Sequence, residues 1–153
     1  MSKVITRFAP SPTGYLHIGG ARTALFAWLY AKSYGGDCLL RIEDTDKERS
    51  EDKYTHEIIN SFRWLGINFD RDVVYQSHNA NRYNEMIDSL LETGGAYVCP
   101  GNDTDDDKKF REKDLQRGSN TVVRFKMPTE GYTTFNDLVK GELQVSNDQL
   151  DDF

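Results

Sequence analysis

Apolar positions along this chain follow two alternating rhythms, one of period two and one close to 3.6. The run from Val4 to Ala9 is strand-like, and it cannot continue through Pro10 and Pro12, since each proline removes a ladder N–H and fixes its own φ. From Gly19 to Tyr34 the spacing predicts a helix with Ala24, Leu25, Trp28 and Leu29 on its apolar side and Gly35-Gly36 as its stop. Asp37 to Ile42 follows as a short apolar strand. Strand, loop, helix and strand in that order form a βαβ unit, which implies a parallel pair. Ligands of such sheets sit at the carboxyl ends of the strands.

A second helix is expected from a Ser50 cap to about Leu65, with Ile58, Ile59, Phe62 and Leu65 as its buried stripe and Gly66 ending it. The helical aromatics, Trp28, Phe62 and Trp64 among them, read as core. Val73 to Tyr75 is a brief strand. A third helix starts at Ser77 or Asn79, with Tyr83, Met86, Ile87, Leu90 and Leu91 on one face before Gly94-Gly95, and Ala96 to Cys99 is strand again. The alternation favours an α/β fold, the first half of a doubly wound Rossmann-type parallel sheet. Composition changes at Pro100. The acidic stretch 101–109 is a loop or helix start, with helix continuing over Phe110 to Arg117. Thr121 to Met127, Tyr132 to Asp137 and Glu142 to Val145 then suggest an antiparallel meander. The expected division is a catalytic half over 1–99 and a small α+β inserted subdomain over 100–153.

Charge and cysteine content narrow the classes. A net charge of -6 argues against nucleic-acid binding through overall charge but leaves room for a local basic groove. No apolar run approaches the length of a bilayer span, and the amino terminus lacks a signal-peptide core, so no membrane partner and a cytoplasmic location are expected. Cys38 and Cys99 are far apart and too few for a four-ligand zinc site.

The chemistry concentrates in Arg7-Phe8-Ala9-Pro10-Ser11-Pro12-Thr13-Gly14-Tyr15-Leu16-His17-Ile18-Gly19-Gly20. A stiff loop leads into glycines at a helix start, where free N–H groups and the absence of a Cβ allow a phosphate to approach the backbone. His17-Ile18-Gly19-Gly20 resembles the first signature motif of class I aminoacyl-tRNA synthetases. With Arg41-Ile42-Glu43-Asp44-Thr45-Asp46 downstream, the longer string resembles bacterial-type glutamyl-tRNA synthetases. Glutaminyl relatives usually carry Pro-Glu-Pro-Asn in the first loop and Asp-Asp-Thr-Asn in the second. The Ser-Pro-Thr and Glu-Asp-Thr-Asp found here point to glutamate.

The resemblance implies ATP, carrying Mg²⁺, and L-glutamate as substrates, tRNA(Glu) as the acceptor, and a monomer. It assigns Pro10, Thr13, Gly14, His17, Gly19 and Gly20 to the nucleotide, with His17, Gly19 and Gly20 catalytic, and Arg7, Ala9, Ser11 and Glu43 to the amino acid. The residue types suit the task, because a dicarboxylate with one ammonium calls for a guanidinium fork and an acid. Alternatives remain for several of them. His17 packs on Pro12 or Tyr15, Arg7 pairs with Glu43, or Arg41 pairs with Asp44 or Asp46. Ser11 and Thr13 bond their own backbone. Asp44 and Asp46 either brace their loop or position a magnesium water. Lys47, Arg49 and Lys53 form either a basic patch for the tRNA 3′ end or a solvated helix start.

Cys99 stands where many relatives carry a Cys-x-Cys zinc pair, but Pro100-Gly101 follows and no later Cys or His occurs, so no zinc is expected. The Lys-Met-Ser-Lys-Ser-type loop of complete family members does not occur in these 153 residues. The expected function is therefore that of an amino-terminal portion of a glutamate–tRNA ligase. The competing readings are a non-catalytic fragment that binds ATP or glutamate weakly, a paralogue that glutamylates queuosine in tRNA, and an unrelated nucleotidyltransferase.

Overall fold

The computed structural model describes residues 3–101 and 107–153, and its contacts divide the chain into two units, Met1–Asn81 and Arg82–Phe153. The change of composition at Pro100 falls inside the second unit. Most of the acidic stretch expected to start a helix, residues 102–106, lies outside the described residues.

The first unit is built on a parallel sheet in the order β1 (Ile5–Phe8), β2 (Asp37–Ile42), β3 (Val74–Tyr75). Ile5 pairs with Asp37 and Phe8 with Leu40, while Arg41 pairs with Val74. Parallel neighbours need crossovers, supplied by α1 (Ile18–Ser33) and α2 (Asp52–Trp64). This is the expected α/β half.

Both helices pack on one face of the sheet. Phe8, Leu40 and Ile42 point that way and meet Ala24 of α1 and Ile58 and Phe62 of α2, with Ile67 closing the cluster. Thr6 on the same side donates to Ala27 O at 2.8 Å. The alternate positions Ile5, Arg7, Leu39 and Arg41 fall on the other face, which neither helix covers. β2 therefore alternates strictly between fully and partly buried residues.

Four expectations about the helices are corrected. In α1 the buried residues are Ala24 and Ala31, whereas Leu25 and Leu29 are exposed. Small side chains let the helix lie close to the sheet. Trp28 is half-buried, with its indole N–H donating to Asn68 O at 2.9 Å, but Trp64 is 86% exposed and no part of the core. Leu65 is likewise exposed, since α2 ends one residue before it. The N-cap of α2 is Glu51 rather than Ser50, because Glu51 N–H is drawn to Pro12 O at 3.1 Å. Ser50 Oγ is buried without a partner.

The helix α3 (Ala80–Glu92), which belongs to the second unit from Arg82 onward, is amphipathic as expected, yet none of its residues is buried. β4 (Ala96–Pro100) pairs antiparallel with β5 (Thr121–Phe125), and β6 (Tyr132–Asp137) with β7 (Gly141–Ser146). The expected meander is thus two separate ribbons. Four successive buried residues, Ala96 to Cys99, make β4 the strand that needs a partner, and β5 takes that place. Phe110 to Arg117 is not a helix beyond a short 3-10 turn at Asp107–Phe110. Instead the Arg111 guanidinium is captured by Asp152: Nε donates to Oδ2 at 2.7 Å and Nη2 to Oδ1, while another Nη2 bond reaches Met127 O. Tyr97 O–H and Met127 N–H also donate to this carboxylate, each at 2.9 Å. Cys38 and Cys99 are both buried, one in each unit.

Two stability predictions follow from this packing. A Cβ on Gly36 would stand 2.2 Å from Val4 O, a backbone atom, whereas one on Gly118 meets nothing within 4 Å. Urea titration of Gly36→Ala is expected to show a loss of about 2–3 kcal/mol, and Gly118→Ala a change within about 0.5 kcal/mol. For Asp152, burial pushes the carboxyl up, but the donors around it prevail and hold it at about 2, against an ordinary 3.8. A depressed folded pKa means that the stabilisation is complete above the unfolded value and fades as pH falls through the folded one. About 2 kcal/mol of stability is expected to disappear between pH 4 and 2. Asp152→Asn removes that slope and costs about 3 kcal/mol at pH 7, measured by denaturant titration across pH.

Candidate active site

The segment between β1 and α1 folds as a strap across the carboxyl ends of the strands. Its two prolines offer carbonyls where they have no N–H to give. Pro10 O accepts from Glu43 N–H at 2.9 Å, extending the β1–β2 ladder past the strand ends, and Pro12 O accepts from Glu51 N–H. Pro12 itself is fully buried. The first motif is thereby tied to the second and to the start of α2. Tyr15 and Tyr54 add an edge-to-face ring contact with centroids 5.1 Å apart.

Below this strap lies a cleft of about 440 Å³ lined by Phe8, Pro10, Ser11, Gly14, Tyr15, Leu16, His17, Gly19, Gly20, Arg22, Thr23 and Ile58. It brings together six of the residues expected at the site: Pro10, Ser11, Gly14, His17, Gly19 and Gly20. Ala9 and Thr13 do not line it, nor do Arg7 and Glu43.

His17 is the N-cap of α1, and its Nδ1 accepts from Gly19 N–H at 3.1 Å. A neutral ring that accepts at Nδ1 carries its proton on Nε2, so the exposed imidazole retains an outward donor. The structure also supplies a reason for the glycines beyond access for a ligand. A Cβ on Gly19 would lie 2.9 Å from His17 Cε1, and one on Gly20 3.0 Å from Leu16 Cδ1. Gly19 makes room for the capping ring itself. Thr23 Oγ1 donates back to Gly19 O at 3.0 Å.

Arg7 and Glu43 lie on the sheet face away from the helices. Arg7 stands opposite Leu39 in the register, and Leu39, Arg41 and Glu43 succeed one another on that side. Arg7 is exposed and makes no ion pair among the described residues. Glu43 pairs with Arg41, whereas the sequence suggests Arg7 as the partner of Glu43 and Asp44 or Asp46 as that of Arg41.

The rest of the second motif braces the loop. Asp44 Oδ1 accepts from Ser77 N–H at 2.8 Å and Oδ2 from Ser77 Oγ at 2.6 Å. Burial pushes the Asp44 carboxyl up, and these donors outweigh it, leaving it below its ordinary value. Asp46 is lowered chiefly by Arg49, whose Nε donates at 2.6 Å. Lys53 pairs with Glu51 at 2.7 Å and lies over the Tyr54 ring. Arg49 and Lys53 are thus engaged with neighbouring acids, as a solvated helix start requires. Ser77 and Arg22 were missed as site residues. No local pattern marks Ser77, which reaches Asp44 because β3 pairs with β2, whereas Arg22 lines the cleft from five residues beyond His17.

Comparison with known proteins identifies the family. The family model for class I tRNA synthetases (E and Q), catalytic domain, matches residues 3–113. The chain is 51% identical to a glutamate–tRNA ligase of Lawsonia intracellularis and 49% identical to one of Oleidesulfovibrio alaskensis, in each case over 99% of its own length and 36% of the relative's. It thus spans about a third of the length of these relatives. A crystal structure of a glutamate–tRNA ligase from Elizabethkingia meningosepticum in complex with its amino acid superposes with a TM-score of 0.79 at 31% identity, over 99% of this chain and 38% of that one. The chain belongs to the class I tRNA synthetases for glutamate and glutamine, as part of their catalytic domain.

Proposed function

We propose that this chain carries the first part of a glutamate-activating site, in which ATP and L-glutamate form glutamyl-adenylate that is passed to the 3′ end of tRNA(Glu). The observation that carries the reading is the Pro10 O to Glu43 N–H bond. It joins the loop that leads to His17 with the strand end that bears Glu43.

In this reading the α-carboxylate of glutamate attacks the α-phosphorus of ATP and pyrophosphate leaves. Negative charge grows on the phosphate oxygens, and His17 Nε2–H, oriented by the cap through Nδ1, donates to one of them. Gly19 and Gly20 keep the helix start open, and Pro10, Thr13 and Gly14 shape the loop around the nucleotide. Mg²⁺ enters with ATP as part of that substrate. Arg7 takes the side-chain carboxylate, Glu43 the ammonium, and Ala9 and Ser11 the amino-acid backbone. A ribose hydroxyl of the tRNA 3′ adenosine then attacks the acyl carbon and AMP leaves. The enzyme of this reading works as a monomer in the cytoplasm, without zinc. Among the described residues no helix is long and apolar enough to cross a membrane.

A second reading, binding without turnover, draws on the sheet face that neither α1 nor α2 covers. Glutamate-dependent ATP–pyrophosphate exchange separates the two. Exchange is expected to be faster with glutamate than with glutamine and to fall about 10²–10³-fold in His17→Ala. Arg7→Ala is expected to raise KM for glutamate about tenfold or more. A folded chain that binds glutamate without exchange supports the second reading, and faster exchange with glutamine rejects the substrate assignment.

A further inference from the structure

Glu43, given above to the ammonium of the amino acid, is one half of a charge pair at the end of β2 whose other half, Arg41, has no task there. Arg41 Nη2 donates to Glu43 Oε1, and both side chains are half-buried. Residues two apart on extended backbone share a face, so the pair lies along one stretch of chain and ties no two elements together. Partly exposed pairs of this kind contribute little to holding a fold. What the pair does fix is the place of a carboxylate. Glu43 N–H is already committed to Pro10 O, so the main chain and side chain of this residue are both held. Among the described residues Glu43 is the sole hydrogen-bond partner of the Arg41 guanidinium, whose buried Nε finds no acceptor. With Oε1 engaged, Oε2 has no donor among the described residues and is left to accept from outside.

We infer that Arg41 is a positioning residue for recognition of the substrate's amine: it holds Glu43 in one rotamer, occupies Oε1 and leaves Oε2 facing an ammonium group. The inference rests on the glutamate reading above. Its signature is selective, because a loosened Glu43 weakens only ligands that carry the amine. Glutarate, the same dicarboxylate without it, is the control. Arg41→Met keeps most of the stem and removes every donor, whereas Arg41→Lys restores one.

Calorimetric titration of the 153-residue chain with L-glutamate and with glutarate tests this. The wild type is expected to bind glutamate more tightly than glutarate. Arg41→Met is expected to weaken glutamate about tenfold, the size of one charge-assisted hydrogen bond poorly made, with glutarate unchanged and partial recovery in Arg41→Lys. Unchanged glutamate affinity in Arg41→Met, or equal loss for both ligands in a variant with wild-type circular dichroism, overturns the role of Arg41 while leaving the glutamate site standing. A wild type that binds neither ligand overturns the glutamate reading and this inference with it. Should Arg41→Met fail to fold, Arg41→Lys and Glu43→Gln decide: glutamate affinity lowered in both, with glutarate binding no weaker, upholds the role, and wild-type glutamate affinity in Arg41→Lys rejects it.

Discussion

The hydrogen bond from Glu43 N–H to Pro10 O carries the β1–β2 pairing one step beyond the strands, into the two loops that bear the sequence motifs. Without it the segment between β1 and α1 would be a proline-rich connection with no fixed relation to β2. The bond from Glu51 N–H to Pro12 O repeats the device at the start of α2. Proline is usually described by what it takes away from a sheet. In this loop its carbonyls do the work, and the fixed φ keeps them aimed. The cost of ordering the loop is met largely by proline's own stiffness, since a residue with few unfolded conformations loses little on folding.

A second constraint is the one-sided burial of the sheet. Phe8, Leu40 and Ile42 form a core with α1 and α2, while the alternate positions hold Ile5, Arg7, Leu39 and Arg41. That division sorts the chemistry as well. His17 and the cleft belong to the helix side, and the two arginines with Glu43 belong to the other. They converge only at the carboxyl ends of the strands, where the loops cross from one side to the other. In the reading proposed above, nucleotide and amino acid would reach the strand ends from these two sides.

Much of this was legible in the sequence, and the failures have physical causes. The bounds of β2 follow from an apolar run between glycines and an acidic loop, and Asp37 to Ile42 is the strand observed. The first motif is legible because prolines and glycines act locally. Trp64 misled because helical spacing identifies a stripe but does not say how far around the helix the sheet reaches. The partner of β5 was misassigned because turn residues mark where strands end and not which strand lies beside them. Ser50 lost its capping role to a long-range bond between Glu51 and Pro12. The brace between Ser77 and Asp44 and the ring packed over Gly19 depend on tertiary contacts and on a rotamer, neither of which a pattern of residue types encodes.

The uneven treatment of the two tryptophans has a practical side. Trp28 is held by α1 against Asn68, and Trp64 projects into water at the end of α2. Their emission therefore reports different things from one molecule. Acrylamide quenching of Trp64 gives a solvent-exposed baseline. A red shift in the remaining signal marks the moment when α1 leaves the sheet, so loosening of the helix that begins at His17 can be followed without attaching a label.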